Sequence, residues 1–242
     1  TKTTPMTRAL PAISIILPVL NEAESINEVV AHVKALAYDG SREIIVVDGG
    51  AGADTLAGLV HADVLGLTAP KGRAKQMNRG AAMARGDIFL FLHADTHLPE
   101  QALGRIAQTM EDSGVGAGAF RLAFDSNKPW YRLAAWLGNL RNQLLKTPYG
   151  DQAQFFRASL FRDMGGFPDL ELMEDVAVMR QVRKLGHTIA FVPEPVTTST
   201  RRYRKEGFLF GVARNCVLRL LYGLGMKPER LTRFYRAHGE TR

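Results

Sequence analysis

Three groups of residues that could do chemistry follow short apolar runs in this sequence. Asn21 and Glu22 come after SIILPVL (14–20), Asp48 ends EIIVVD (43–48), and His93 and Asp95 come after FLFL (89–92). Burying an unpaired carboxylate costs several kcal/mol, so an apolar run that ends on one implies a partner or ligand there. If residues 87–95 form a strand, period two places His93 and Asp95 on the same side of the chain. Two donors on one side can share a cation. A carboxylate suits Mg2+ or Mn2+, and Mn2+ tolerates an imidazole. The bland alternative is that His93 caps the strand and Asp95 opens a turn ahead of Pro99. Asp48 is followed by Gly49 and Gly50, which let a ligand approach the backbone. Its carboxylate could accept hydrogen bonds from a base or a ribose. Taken singly, each of these residues reads more simply as a helix cap or turn residue. Three groups on one rim point to a site.

Other charged stretches surround these. KGRAKQMNRGAA (71–82) is basic and punctuated by glycine at a helix start, where phosphates bind through N–H groups and cations. It lacks the Walker A spacing, and it reads equally as a solvated basic face. In MED (173–175), Glu174 and Asp175 open a helix, whose N-terminus stabilises negative charge. An ionised carboxylate there could take a proton from a hydroxyl; plain capping is the alternative. RRYRKEG (201–207) sets Arg201, Arg202, Arg204 and Lys205 around one aromatic. It could neutralise a pyrophosphate, touch acidic lipid, or be a solvated loop. The amphipathic segment from Phe208 is read as a core-packed helix rather than a membrane anchor.

The elements that must hold these residues alternate in the first half. Strands are expected at 14–20, 43–48, 62–69 and 87–92. The first helix carries Ile26, Val29, Val30 and Val33 at helical spacing, with Asn21 as its cap and Glu24 as the reciprocal partner. A second helix runs to Gly86. This rhythm predicts a parallel sheet covered by helices. After residue 100 the pattern is mixed: helices at 99–112, 130–145 and 171–186, and strands at 116–124, 152–157 and 188–192, the last stopped by Pro193 and Pro195. Antiparallel strands are expected at the edges of the sheet.

Composition sets the outer bounds. The chain has 242 residues, 46% hydrophobic and 23% charged, with a formal net charge of +7. That balance favours anionic partners such as phosphates, nucleotides or an acidic membrane surface. The single Cys216 excludes an internal disulfide, and no Cys/His cluster has zinc spacing. TKTTPMTRALPA has no long apolar core, so no signal peptide is expected. No stretch reaches the roughly 18 apolar residues of a spanning helix. These features suit a cytoplasmic protein.

Together the residues resemble the family 2 glycosyltransferases. SIILPVLNEAESI resembles that family's first strand and its Pro-x-x-Asn-Glu turn. IIVVDGGAGADT resembles its nucleoside-holding segment. KGRAKQMNRGAAMARGDIFLFLHADT resembles the arginine-bearing helix and the Asp-x-Asp metal motif. FRASLFRDMGGFPDLELMEDVAVMRQVRKLGHTIAFVP resembles the acceptor-side stretch. The resemblance spans about residues 13–200. The C-terminal TSTRRYRKEGFLFGVARN to PERLTRFYR is similar to a subgroup called selenodomain- or radical-SAM-associated transferases. Two departures stand out. His93 replaces the first aspartate of the metal motif, and the Gln-x-x-Arg-Trp motif of processive synthases is absent.

The resemblance implies an α/β GT-A fold, with a mixed, mainly parallel sheet flanked by helices and a helical C-terminal segment. It implies one domain over 1–242, with a nucleotide-binding half at 13–98, an acceptor half at 99–200 and a helical segment at 201–242. Pro18, Asn21, Glu22 and Asp48 would bind the nucleoside, and Arg73 would lie near the base or diphosphate. Asp95 would hold the nucleotide through Mn2+ or Mg2+, with His93 as the second candidate ligand. Asp175 would be the general base, with Glu174 beside it. Lys146 to Gln154, with Tyr149, Asp151 and Gln152, would face the acceptor. Asp151, Gln152, Arg201 and Arg202 are the candidates for acceptor or diphosphate contacts.

The activity so implied is inverting, metal-dependent transfer of one sugar from a nucleoside diphosphate, with UDP favoured by family frequency, to an unidentified acceptor. A nucleotidyltransferase and a non-catalytic nucleotide-sugar-binding protein are the rival readings. Nucleic acid, supported by charge alone, is not an expected partner. Weak peripheral contact with the inner face of a membrane, through Arg201, Arg202, Arg204, Lys205 and the Phe208 segment, stays open, as does a homo-oligomer.

Overall fold

ISIILPV and REIIVVD are apolar at nearly every position, so each strand must be covered on both faces. The computed structural model, which describes residues 9–232, pairs them as β1 (Ile13–Val19) and β2 (Arg42–Asp48). Their register runs in parallel from Ile13 opposite Arg42 to Val19 opposite Asp48. Residues 1–8 and 233–242 hold most of TKTTPMTRALPA and the end of PERLTRFYR, so those readings lie outside the described residues. The first half continues through α1 (Ile26–Ala35), α2 (Asp54–Ala57), β3 (Leu65–Thr68), α3 (Arg73–Met83) and β4 (Ile88–Phe91). As the periodicity predicts, Ile26, Val29, Val30 and Val33 are buried.

In the second half come β5 (Thr96–His97), α4 (Ala102–Thr109), β6 (Val115–Phe124) and α5 (Pro129–Leu145). A 3-10 turn at Gly150–Gln152 leads to β7 (Phe155–Arg157), α6 (Ala158–Asp163), α7 (Glu174–Lys184) and β8 (Thr188–Thr198). Last are α8 (Arg201–Glu206), α9 (Phe208–Gly223) and α10 (Pro228–Leu231). All eight strands form one sheet, in the order β3-β2-β1-β4-β7-β6-β8-β5. β5 is an antiparallel edge, as expected. β7 is antiparallel to both β4 and β6 and lies in the interior, which the sequence reading did not foresee.

Each face of the sheet carries a core. Ile13, Ile15, Leu17 and Val46 meet α1 and α4 on one side. Ile16, Ile45, Val47, Phe89 and Phe91 meet α3 and α7 on the other. There Phe91, Phe156, Phe161 and Phe167 pack with ring centroids 4.8 to 5.9 Å apart, mostly edge to face. Such contacts contribute about 0.5–1.5 kcal/mol per pair beyond burial.

Several element ends differ from the sequence expectations, each for a local reason. Pro18 sits inside β1, yet β4 pairs with β1 only as far as Ile16 opposite Phe91. The N–H groups of Ile13 and alternate residues point to β2, so Pro18 would have pointed past the end of β4 and costs no ladder bond. α3 stops at Met83, short of Gly86. Ala84 turns extended, and the N–H groups of Arg85 and Gly86 donate to Glu43 Oε1 and Ser14 Oγ. β8 runs through both Pro193 and Pro195, because Pro193 and Glu194 bulge out of β8 between Val192, opposite Phe120, and Pro195, opposite Arg121. RRYRKEG forms α8 and is no loop. In α9 Gly211 and Leu218 are buried, and Leu218, Leu221 and Tyr222 pack with Leu172, Met173 and Val176, so one side of the segment from Phe208 is core-packed, as expected.

The helix nearest the site is seated by a glycine. A Cβ at Gly80 of α3 would lie 2.5 Å from Ile16 Cγ2. Helix propensity alone favours alanine over glycine by about 1 kcal/mol. Gly80→Ala is nevertheless expected to lower stability by about 1–3 kcal/mol, the usual cost of overpacking. Urea denaturation of the two proteins reads the sign directly.

Candidate active site

β1, β2 and β4 are parallel and end on the same edge, where open α/β sheets bind ligands. Asn21 follows β1 with φ 57° and is not a helix cap; that place belongs to Ser25, and Glu24 has no capping role. Glu22 accepts a hydrogen bond from Ser25 Oγ at 2.6 Å and pairs with Arg201 at 3.1 Å, 179 residues away. Its N–H donates to Thr55 Oγ1.

Asp48 is 1% exposed, and its carboxylate turns toward its own loop. Oδ1 accepts the Gly50 N–H at 2.8 Å, and Oδ2 accepts the Thr55 N–H at 3.0 Å. It shapes the rim and caps α2. Beneath it lies a residue that the sequence reading passed over. The Gln76 amide donates to the carbonyls of Val19 at 2.7 Å and Val47 at 2.9 Å, tying together the ends of β1 and β2. A glutamine in a basic, polar helix start gives no sequence signal for this. The glycine after Asp48 does, in hindsight: a Cβ at Gly49 would lie 2.7 Å from the Gln76 side chain.

His93 and Asp95 are not carried by a strand. β4 ends at Phe91, and residues 94–95 form a turn in which the Thr96 N–H donates to the His93 carbonyl. The Asp95 carbonyl accepts the Ser199 N–H at 2.9 Å. The His93 ring rests against the Gly150 backbone, where a Cβ would lie 2.9 Å from Cε1. Burial lowers His93 to about 4, Arg73 adds to the drop, and Asp95 and Asp175 oppose it. At neutral pH the imidazole is therefore uncharged and keeps a lone pair.

Across the cleft α7 presents its N-terminus. Asp175 is 8% exposed; Oδ2 accepts the Gly150 N–H at 2.8 Å, and Oδ1 accepts the Val176 N–H at 2.7 Å. Glu174 Oε1 meets Arg73 Nε at 2.9 Å, while Oε2 is buried without a hydrogen-bond partner. Burial raises Glu174 to about 7; Arg73 pulls it down, and the charge of Asp175 pushes it up. Asp151 behaves similarly. The residue keeps some exposure, but Oδ1 is sealed and unpartnered. Burial raises it to about 7, with Asp175 and Asp95 adding and Arg141 and Arg73 opposing.

Two expected contacts lie elsewhere. Gln152 is buried, accepts from Asn142 Nδ2 at 2.6 Å and donates to the Phe120 carbonyl at 2.9 Å, so it knots the loop and does not face the cleft. Arg202 turns along α8 to Glu206 at 3.3 Å. Arg141 and Arg219, unforeseen, stack on the Tyr149 ring, 4.2 and 4.7 Å from its centroid. Arg219 also donates to the Thr147 carbonyl and hydroxyl, fixing the loop to α9.

The rim is strained. Among the described residues, five non-glycine residues have positive φ, and Asn21, Ala53, Ala153 and Met173 border this cleft. Such strain concentrates at functional sites. As for a cation, no three His, Cys, Asp or Glu side chains are grouped to hold one alone among the described residues. The donor chemistry still fits a cation shared with a diphosphate. Asp95 offers a carboxylate, His93 a neutral imidazole, and Asp151 an unpartnered buried oxygen. Mg2+ is commonly held by one or two carboxylates plus substrate phosphates.

Comparison with known proteins agrees with this geometry. Residues 14–164 match the model of glycosyl transferase family 2. An N-acetylglucosaminyltransferase of Mesorhizobium japonicum is 32% identical over 140 residues, which cover 54% of this chain and 32% of that protein. The chain thus spans about a third of that relative's length. An uncharacterised glycosyltransferase of Mycobacterium tuberculosis is 30% identical over 195 residues, 77% of this chain and 72% of that protein. The structure of a Pyrobaculum calidifontis mannosyltransferase, in complex with GDP-Man and Mn2+, superposes with a TM-score of 0.65. It is 20% identical, over 94% of this chain and 68% of that one. The fold is the nucleotide-sugar-binding GT-A fold, and the chain belongs to glycosyl transferase family 2.

Proposed function

We propose that the chain moves one sugar from a nucleoside diphosphate to an acceptor hydroxyl, with inversion at the anomeric carbon and with Mn2+ or Mg2+ bound. The donor is proposed to be UDP-linked, on family frequency. GDP-mannose, which the Pyrobaculum neighbour binds, is its competitor in the same screen. The subgroup proposed from the C-terminal resemblance is the selenodomain- or radical-SAM-associated transferases. The chain is read as one functional unit, with 13–98 taking the nucleotide, 99–200 the acceptor, and 201–242 bracing both.

The observation that carries this reading is the placement of Asp175. It opens an eleven-residue helix, which stabilises its charge, and two backbone N–H groups fix both of its oxygens. Each oxygen keeps a lone pair. As the acceptor oxygen bonds to the anomeric carbon, its proton passes to Asp175 and the bond to the diphosphate breaks. One base on the side opposite the leaving group gives inversion.

The other roles follow from position. Asn21 and Glu22 line the nucleoside side, with Pro18 beneath them. Asp48 binds the nucleoside with the lone pairs that its loop leaves open. Arg73 neutralises diphosphate charge, and its pairing with Glu174 orients both. Asp95 and His93 would hold the cation, which supplies charge stabilisation for the leaving group. Asp151, which burial raises to about 7, donates a hydrogen bond to the acceptor or diphosphate in its protonated form. Arg201, tethered to Glu22, is poised at the diphosphate side.

Three measurements test the assignment. Asp175→Asn keeps the shape and removes the proton acceptor, so kcat should fall by about 10²- to 10⁴-fold with donor affinity nearly unchanged. Retention of more than about a tenth of kcat would move the base elsewhere. Asp95→Ala should abolish the Mn2+-dependent thermal stabilisation given by UDP or GDP, with the far-UV spectrum intact. If that stabilisation survives, Asp95 is not the cation's ligand. The third concerns Asp151. Its folded form holds a proton up to about 7, against an ordinary value of 3.8. Stability from that neutral group is present below the ordinary value and is lost as pH rises through about 7. Asp151→Asn should therefore melt above the wild type at pH 8, by a margin that shrinks toward pH 5. Glu174 titrates in the same window but is common to both proteins. A margin independent of pH would contradict a protonated Asp151.

A further inference from the structure

Two helices turn the wrong face outward. In α5 the buried positions are Tyr131, Ala135, Asn139 and Asn142, at helical spacing on one side. Asn139 pins that side to the sheet: its amide accepts from the Leu122 N–H and donates to the Leu122 carbonyl. The opposite side carries Trp130, Leu133, Leu137, Leu140 and Leu144, spaced three and four residues apart and all exposed, Leu144 to 73%. α9 repeats the arrangement. It buries Gly211 and Leu218, while Leu209, Phe210, Val217, Leu220 and Leu224 face solvent, Leu209 to 80%. A surface helix ordinarily turns its apolar stripe to the core.

The helices meet near both ends. Tyr131 near the start of α5 packs on Phe208 at the start of α9, with ring centroids 4.6 Å apart. At the other end, Arg219 of α9 holds Thr147, just beyond α5. Both helices thus expose apolar side chains in one region of the protein, of a kind that soluble monomers rarely leave uncovered.

Charge chooses the occupant. α5 and α9 contain no Asp or Glu; of their four arginines Arg132 is exposed, while Arg141 and Arg219 turn to Tyr149 and Arg214 pairs with Glu206. Lys128, Arg204 and Lys205 extend the basic rim at their N-terminal ends. Beside α5 opens a cleft of about 430 Å³, lined by Arg121, Tyr131, Arg132 and Trp136. Neither Arg121 nor Arg132 has an acidic partner among the described residues. A second copy seated on this face would oppose cation to cation. An anionic bilayer complements it, since apolar side chains enter the acyl boundary while arginines meet headgroup phosphates.

We propose that the α5–α9 face docks the protein on the surface of an anionic membrane, with lipid phosphate received in the Arg121–Arg132 cleft. The chain's two tryptophans, Trp130 and Trp136, both lie exposed on α5 and report the event without a label. With vesicles of equal parts phosphatidylglycerol and phosphatidylcholine, tryptophan emission should shift to the blue and the protein should float with the vesicles. Phosphatidylcholine alone should bind much more weakly. The double variant Leu137→Glu, Leu140→Glu changes only exposed positions. It should partition about tenfold or more less well, with melting temperature and nucleotide binding unchanged. Arg121→Gln with Arg132→Gln should weaken binding to the anionic vesicles alone. Unchanged emission at saturating anionic lipid, or wild-type partitioning of the double glutamate variant, overturns the proposal. So does a dimer in light scattering that the glutamates convert to monomer without any vesicle binding, which would give the face to a second copy.

Discussion

Like charges in a small buried volume repel, and a carboxylate taken from water loses its hydration as well. The cleft imposes both costs. Asp95, Asp151, Glu174 and Asp175 gather there around Arg73 and an uncharged His93. The volume relieves the repulsion through the Arg73–Glu174 pair and through protons held in part by Glu174 and Asp151 near neutral pH. Asp175 takes a third course, with a backbone N–H donated to each oxygen. A nucleoside diphosphate would bring yet more negative charge. It therefore calls for a cation or for the cluster's protons, and the unpartnered oxygens of Asp151 and Glu174 are where such charge would be felt first.

The frame bears this cost because its rim is fixed from several directions. Gln76 clamps the ends of β1 and β2, and Gly80 lets α3 press against Ile16. The four stacked phenylalanines join β4, β7 and α6 beneath the cleft. On that base four non-glycine residues hold left-handed backbone around the cleft. Each costs on the order of 1–3 kcal/mol, which persists only where surrounding contacts over-determine it. Gly150 shows the tightness: its missing Cβ makes room for His93, and its N–H holds Asp175.

The parts legible in the sequence were those set by local pattern. β1, β2, β4, α1 and α5 follow from apolar runs and helical spacing, and the carboxyl-end rim follows from their order. The misreadings share one cause, contacts far apart in sequence. Nothing local stops β4 at Phe91, because His93 and Ala94 are not turn formers; the turn is held by Thr96 and by Ser199 across the sheet. Pro193 and Pro195 look like a stop, but a bulge in β8 opposite Phe120 and Arg121 absorbs them. That two N–H groups of its own loop also hold Asp48 was not legible from its place at the end of β2. Arg73 with Glu174, and Glu22 with Arg201, pair across more than a hundred residues and leave no trace in any window. In α9 the periodicity was visible, but not which face the protein would bury.

That last gap joins the cleft to the surface. On α9, Arg219 and Leu220 are neighbours, and a helix turns about 100° between them. Arg219 points inward to Thr147 and Tyr149, the loop that leads to Gly150, whose N–H holds Asp175. Leu220 points outward on the apolar face. On α5, Arg141 reaches the same tyrosine while Leu140 and Leu144 face out. Tyr149 is thus held between guanidiniums from the two helices whose outer sides make the lipid-facing surface. A force that seats those helices would act on the loop through two stacked contacts of under 5 Å. Rigid helices and a clamped ring leave it little freedom to absorb the movement. The side of the cleft proposed to take the acceptor is thus joined through Tyr149 to the face proposed to dock, which would suit an acceptor presented at that surface.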